Sequence, residues 1–299
     1  MTKPRLAAPL FVLLLSAPSL QALELPEGLT FSGYSELETL FTNSETAHVA
    51  HGRGDIGFRV PGSGSLSFGA DIGFESVGYY LDAGTAERVA LYAELVVEGG
   101  FGALSLGQSR SAAERIVDLP QLGGNRSVAD AFGYATGPGL RLEHLYYDET
   151  MGLRYDGEIG GGRIAASINH IQDYGNIAQI AAEVPLAAGL IEGAIEADLP
   201  SDKYSVMLGG QMTRGAVDLG LYAYNDAYYG NGGSLRGFAS YHVSEALVAS
   251  AQMLALEGGQ LYGLDVKYSL PIGLYGQLGV TDGSAIAGRI TDLSIGFKF

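Results

Sequence analysis

The feature that most constrains this chain is an alternation of apolar and polar residues that recurs over strand-length segments along nearly its whole length. In the last segment, Leu293, Ile295, Phe297 and Phe299 are separated by polar or small residues. A period of two places alternate side chains on opposite faces of a β-strand. The polar face carries charge and the apolar face is hydrocarbon or aromatic. This arrangement favours a closed barrel in lipid over a soluble sandwich, because a barrel leaves no strand edge unpaired.

The pattern predicts an all-β fold: a transmembrane, antiparallel, up-and-down β-barrel of about sixteen strands, an even number as in bacterial transmembrane barrels. Segments of about ten residues match a tilted strand that crosses the hydrocarbon layer. The predicted spans are 29–42, 49–60, 64–76, 87–98, 102–109, 145–156, 163–172, 177–186, 189–199, 203–213, 216–226, 234–243, 246–257, 260–270, 273–282 and 289–299.

The N-terminus has the pattern of a secretory signal. Lys3 and Arg5 form a basic region, residues 6–17 are apolar but too short to span a bilayer, and cleavage after Ala22 is expected. The alternative is a buried N-terminal helix. We therefore expect a signal peptide over 1–22 and one barrel domain over 23–299. The formal net charge is −16 and cleavage would remove two basic residues, so the acidity argues against nucleic acid as a partner.

The connections between the predicted strands differ in length. Those after even-numbered strands are tight and rich in Gly and Pro. Those after odd-numbered strands are longer on average, as at 77–86, 227–233 and 283–288, although 173–176 and 258–259 are short. One connection, about 110–144, has no sustained alternation, and a loop of that length is usually functional. We expect this segment, the long loop, to fold into the lumen, which would otherwise stay wide; an external flap is the alternative.

The long loop also carries a motif. Residues 118–125 read Asp-Leu-Pro-Gln-Leu-Gly-Gly-Asn and are followed by Ala129 to Phe132. This stretch resembles the constriction-loop motif of Gram-negative general porins, Pro-Glu-Phe-Gly-Gly-Asp with a following Asp-Phe, and stands after the fifth strand as in that family. The opening Phe31 to Tyr34 and the terminal Phe299 extend the resemblance over essentially the whole mature chain. High glycine, the lack of Trp and overall acidity are similar to the α-proteobacterial (Rhodobacter-type) branch.

The resemblance implies a homotrimer in the cell outer membrane, in contact with lipid and lipopolysaccharide and inserted by the barrel assembly machinery. Each barrel would allow passive diffusion of small hydrophilic solutes and ions. The family places carboxylates of the inserted loop opposite basic residues of the wall. Here the motif's Glu and Asp are replaced by Gln121 and Asn125, while Glu114, Asp118 and Asp130 lie nearby.

Alternation assigns charged residues to the lumen independently of the family. Arg53 lies in mid-strand, so we expect it at the depth of the inserted loop, where a guanidinium facing carboxylates creates a transverse field. Weak cation selectivity is expected from the net charge, with Arg53, Arg110 and Arg115 opposing it. The predicted constriction residues are Glu114, Asp118, Gln121, Asn125, Asp130, Arg53, Arg110 and Arg115, and the predicted wall residues are Arg59, Arg88 and Glu94.

Three other functions are alternatives for a chain of this kind. An outer-membrane enzyme would need a nucleophile beside a base, and His48, His51, His144, His170 and His242 form no such pattern in the sequence. A channel specific for a sugar or an anion would need an aromatic ladder, but Tyr146-Tyr147 and Tyr228-Tyr229 are adjacent pairs that cannot both face inward. A non-conducting adhesin would usually have fewer strands. No cofactor is expected, although acidic loops could bind Ca²⁺ at a site that the sequence does not locate.

Overall fold

The structure, a computed structural model, describes residues 26–81, 84–117, 119–133, 137, 150–226 and 232–299. The predicted signal segment lies outside the described residues, as do Asp118, His144 and the two Tyr pairs. Within the described part, sixteen antiparallel strands form one closed barrel, so the predicted fold class is confirmed. The strands are β1 (Leu29–Phe41), β2 (Thr46–Pro61), β3 (Ser67–Leu81), β4 (Gly84–Gly99), β5 (Gly102–Gln108), β6 (Thr150–Ile159), β7 (Gly162–Ile171), β8 (Gly175–Leu186), β9 (Gly189–Asp198), β10 (Lys203–Arg214), β11 (Val217–Asp226), β12 (Gly232–His242), β13 (Leu247–Leu256), β14 (Gly259–Ser269), β15 (Leu274–Gly283) and β16 (Ile290–Lys298).

Each strand pairs with its neighbours in sequence, and the sheet closes where β1 pairs with β16. The end that carries the connections β2–β3, β4–β5 and so on is called the turn end, and the opposite end the loop end. Turns at the turn end use glycine in left-handed conformations, as at Gly160 and Gly161, where φ is +61° and +83°.

One predicted connection is wrong. Residues 77–86 were expected to form a long loop, but β3 continues to Leu81 and β4 begins at Gly84. Cross-strand pairing extends to the last pair, Leu81 with Gly84, so both strands stay in the sheet. The prediction ended β3 too early because Tyr79 and Tyr80 interrupt the alternation. Aromatic residues are nevertheless favourable in strands, so β3 continues through them. Strands β2 to β4 are consequently the longest in the barrel.

The outer face of the barrel is an apolar belt. Outward side chains such as Leu95, Ile72 and Leu208 are exposed to 67 %, 62 % and 61 %. Such a surface is far more extensive than soluble monomers tolerate, and it matches the lipid-facing band of transmembrane barrels. Near the closure of the sheet, the rings of Phe31 and Phe299 stack with centroids 4.8 Å apart.

The long loop connects β5 to β6 and contains two short helices, α1 (Ala112–Ile116) and α2 (Arg126–Ala131). Ser111 begins α1 with a capping box: its side chain accepts from the amide of Glu114, whose own carboxylate accepts from the amide of Ser111. Neither helix, nor any other in the described ranges, is long and apolar enough to cross a membrane.

Candidate pore constriction

The long loop enters the barrel directly after β5, because α1 packs against the inner wall. Ala112, Ala113 and Ile116 form a buried cluster with small wall residues of β7, β8 and β9. The amide of Ala112 donates to Ser167 Oγ at 3.1 Å, and that of Ala113 donates to Gln179 Oε1 at 2.9 Å. These side chains satisfy helix N-terminal amides that have no partner within α1. The wall therefore holds the first turn of the loop inside the lumen, as the length of the loop had suggested.

The Gly-Gly pair of the loop motif permits a close approach between loop and wall. The amide of Gly123 donates to Gln252 Oε1 at 3.0 Å. A Cβ on Gly123 would lie 2.4 Å from Thr281 Oγ1, and a Cβ on Gly279 of β15 would lie 1.8 Å from the carbonyl oxygen of Gly123. Glycine is thus required on both sides of this contact, because any larger residue would push the backbones apart. Leu122 anchors the same stretch in an apolar cluster with Leu254 and Leu261.

The second helix is bound by a buried carboxylate of β1. Glu38 accepts hydrogen bonds from the amides of Arg126 and Ser127 at 2.5 Å and 3.2 Å, and also from Ser127 Oγ. Its Oε2 lies 2.9 Å from His51 Nε2. Charge-assisted hydrogen bonds in a buried setting are stronger than neutral ones. The loop is therefore fixed at both ends of its described inward course, first on β7 and β8 and then on β1 and β2.

The wall on β2 to β6, beside the start of the loop, carries a ladder of ion pairs. Arg110, at the start of the loop, lies 2.7 Å from Asp55 and 3.4 Å from Glu75, and contacts Glu114 at 3.7 Å. Arg53 pairs with Asp55 at 3.0 Å. Burial opposes the charge of Arg110, but Glu114, Tyr92 and Asp55 outweigh it and raise the pKa of its guanidinium. Arg110 therefore stays cationic and links loop to wall.

The ladder continues toward the turn end. Arg154 of β6 binds Glu94 at 2.9 Å and Asp156 at 2.7 Å. Arg59 binds Asp71 through two hydrogen bonds of 2.5 Å and 2.9 Å, a bidentate pairing that restrains both side chains. Arg115 of α1 lies 3.6 Å from Asp156. Cation and anion thus alternate along one strip of the lumen.

The structure brings most of the predicted constriction residues together. Arg53, Glu114, Gln121 and Asp130 line one cavity of about 620 Å³ between loop and wall. The adjoining cavity, of about 270 Å³, is lined by the predicted residues Arg53, Arg59, Glu94, Arg110 and Arg115. Loop carboxylates and wall guanidiniums therefore border the same narrow passage.

Asn125 has a position that differs from the prediction, and Arg88 lies on the wall but outside the ladder. Asn125 does not face the lumen: it is fully buried, and its Oδ1 accepts from the amide of Val128 at 2.7 Å to cap α2. An amide suits this capping position as well as a carboxylate does, so the departure from the motif leaves the helix cap in place. Arg88 is exposed toward the loop end of β4, above the ladder. Asp118 lies outside the described residues.

Sequence reasoning missed several residues that the structure places in the lumen. Arg154 is the clearest case, since its neighbours Met151 and Leu153 are exposed to 64 % and 47 % on the outer face. The same alternation that assigned Arg53 inward could have found it. Glu36 and Glu38 flank the outward Leu37 in the same way.

Comparisons with known proteins support the architecture. No protein-family model matches this chain, and no curated protein does. Among solved structures, a mutant of the Rh. blastica porin is similar at 16 % identity with a TM-score of 0.68, covering 91 % of this chain and 100 % of that one. A triple mutant of the Rhodopseudomonas blastica porin is similar at 15 % identity with a TM-score of 0.67 and the same coverage. At this identity, the likeness establishes the fold.

Proposed function

We propose that this chain forms a water-filled pore in the outer membrane through which small hydrophilic solutes and ions diffuse passively. The observation that carries the proposal is the inward fold of the long loop onto a lumen lined by ion pairs, inside a barrel whose outer face is apolar. A polar passage through a lipid-facing barrel is the arrangement by which such proteins conduct. The solved structures that it resembles are named as porins. No enzymatic step is needed for this function.

Weak cation selectivity belongs to the same proposal. Along the described ladder, carboxylates outnumber guanidinium groups: Asp55, Asp71, Glu75, Glu94, Glu98, Glu114 and Asp156 accompany Arg53, Arg59, Arg110, Arg115 and Arg154. Most of this charge is paired locally. The excess of carboxylates should attract cations over a Debye length of about 10 Å at 0.1 M salt, so selectivity should fall as salt rises.

A homotrimer, made after removal of residues 1–22, is the proposed form in the membrane. The trimer is supported by the outer face of β1 and β2 toward the loop end. This face is less apolar and carries smaller side chains than the rest of the apolar belt. Small residues such as Ala50 and Gly52 lie there, and Thr39 Oγ1 and His48 Nδ1 hydrogen-bond at 3.1 Å. A polar pair on an otherwise lipid-facing surface is better accommodated against another subunit than against hydrocarbon.

The test is conductance in planar lipid bilayers, together with solute uptake by liposomes that contain the purified barrel. We expect stepwise, ohmic conductance and uptake rates that decrease smoothly with solute size. A folded barrel that does not conduct would overturn the proposal. Uptake that saturates for one sugar or one anion would favour the substrate-specific channel instead.

A further inference from the structure

A buried cluster beneath α2 has more negative than positive charge. Glu36 and Glu38 of β1 are fully buried, and Asp292 of β16 is 1 % exposed. The cations that belong to the cluster are the guanidinium of Arg126, 3.2 Å from Glu36, and the imidazole of His51 when it is protonated. Lys267, which interacts with both Glu36 and Asp265, and Asp265 itself together add no net charge. Buried carboxylates without compensating charge are unfavourable, so further positive charge, from protons or from a metal ion, would stabilise the cluster.

Asp292 is the carboxylate of the cluster that has an unpartnered oxygen. Its Oδ1 accepts from Ser294 Oγ at 3.4 Å, and Ser294 is the direct cross-strand partner of Glu38. The carboxylate thus leans toward Glu38. Its Oδ2 is buried and accepts no hydrogen bond from any residue that the structure describes. Buried polar atoms normally have partners, so an unpartnered carboxylate oxygen beside two more carboxylates points to a ligand.

The donor atoms lie close enough together to share a metal ion after side-chain movement. One ligand atom each from Glu36, Glu38 and His51 lies within 4.8 Å of the others. Two ligands of a tetrahedral ion at about 2.1 Å lie about 3.4 Å apart. His51 Nε2 and Glu38 Oε2, now hydrogen-bonded at 2.9 Å, would move apart by about half an ångström. A pair as far apart as 4.8 Å would have to approach by somewhat more than an ångström.

We propose that Glu36, Glu38 and His51 bind one first-row divalent cation such as Zn²⁺, with Asp292 supplying the remaining negative charge beside it. Carboxylate oxygens with an imidazole nitrogen form a ligand set that these metals favour. A carboxylate offers about four lone-pair sites, so Glu38 can bind the ion and still accept from the amides of α2. Metal binding would release any proton held by these ligand atoms.

The site would lie directly beneath the long loop, on wall carboxylates that also bind it. Glu38 contacts the amides at the start of α2, and Arg126 of α2 contacts Glu36. An ion shared by these carboxylates would join β1 and β2 beneath the helix.

The test is calorimetric titration of the full chain in detergent with Zn²⁺, after treatment with a chelator. The matched variants are His51→Gln and His48→Gln, because His48 is on the same strand but faces outward and is exposed. We expect one site per chain in the wild type and in H48Q, weakened at least about tenfold in H51Q and in D292N. Titration in buffers of different ionisation enthalpy should show proton release in the wild type.

A second readout is spectroscopic, since Co²⁺ bound to imidazole and carboxylate gives visible absorption bands that should be lost in H51Q. Identical isotherms for wild type and H51Q, or no saturable binding in the wild type, would overturn the inference and leave protons as the compensating charge. Each variant is first shown to fold by its shift in mobility on heating in detergent. Conductance of the same preparations tests the pore separately, so a barrel that conducts without binding Zn²⁺ overturns only this inference.

Discussion

Replacing Arg53 by Gln should make the pore more cation-selective. Arg53 is 29 % exposed, lines the same cavity as Glu114 and Asp130, and pairs with Asp55. Asp55 keeps its second partner, Arg110, at 2.7 Å, so the substitution leaves no buried carboxylate unpaired and the barrel should fold. The lumen then loses one positive charge at its narrow part.

The magnitude follows from Coulomb's law. The interaction energy between a unit charge and a passing ion about 6 Å away is about 0.7 kcal/mol in water. Salt at 0.1 M reduces this energy by roughly half. The charge acts on cations and anions with opposite sign. The free-energy difference between cation and anion permeation, which sets the permeability ratio, therefore changes by twice that energy. The cation-to-anion ratio should therefore rise about threefold to tenfold.

The assay is the reversal potential under a KCl gradient across a planar bilayer. The matched control is Arg289→Gln, which removes the same charge near the loop end, where Arg289 is 66 % exposed and binds Asp282 at 2.9 Å. We expect a clearly smaller shift for the control. An unchanged ratio in R53Q, or an equal shift in both variants, would refute the placement of Arg53 at the constriction.

Three further predictions concern the loop and the barrel. Deleting Val117 to Asp130 should raise conductance and the solute size limit of a barrel that still folds, because the wall is continuous without the loop; unchanged conductance would place the loop outside the ion path. Gly279→Ala should displace the loop and increase current noise, since its Cβ would meet the carbonyl oxygen of Gly123 at 1.8 Å, whereas Gly276→Ala on the same strand meets its nearest atom at 3.9 Å and should be silent. The purified barrel should resist SDS at room temperature and change mobility after boiling, because its hydrogen-bonded sheet is closed; a far-UV spectrum dominated by helix would contradict the fold.

The sequence by itself determined the strands and their faces. A period of two is a local property, so residues such as Ile56 and Phe58 are outward wherever the strand lies in the sheet. The position of the long loop also followed from the chain, because its residues lack alternation. The predicted end of β3 was wrong because two tyrosines interrupt the period of two near that end of the strand.

Only the tertiary structure decided which charges meet. Glu38 binds Ser127, 89 residues away, and Tyr275 binds Glu36, 239 residues away, across the closure of the barrel. The capping role of Asn125 likewise became evident only with α2 in place. Alternation predicts which face of the sheet a side chain occupies, but it does not predict which side chains lie beside it. Those depend on strand register, on the closure between β1 and β16, and on the path of the loop across the lumen.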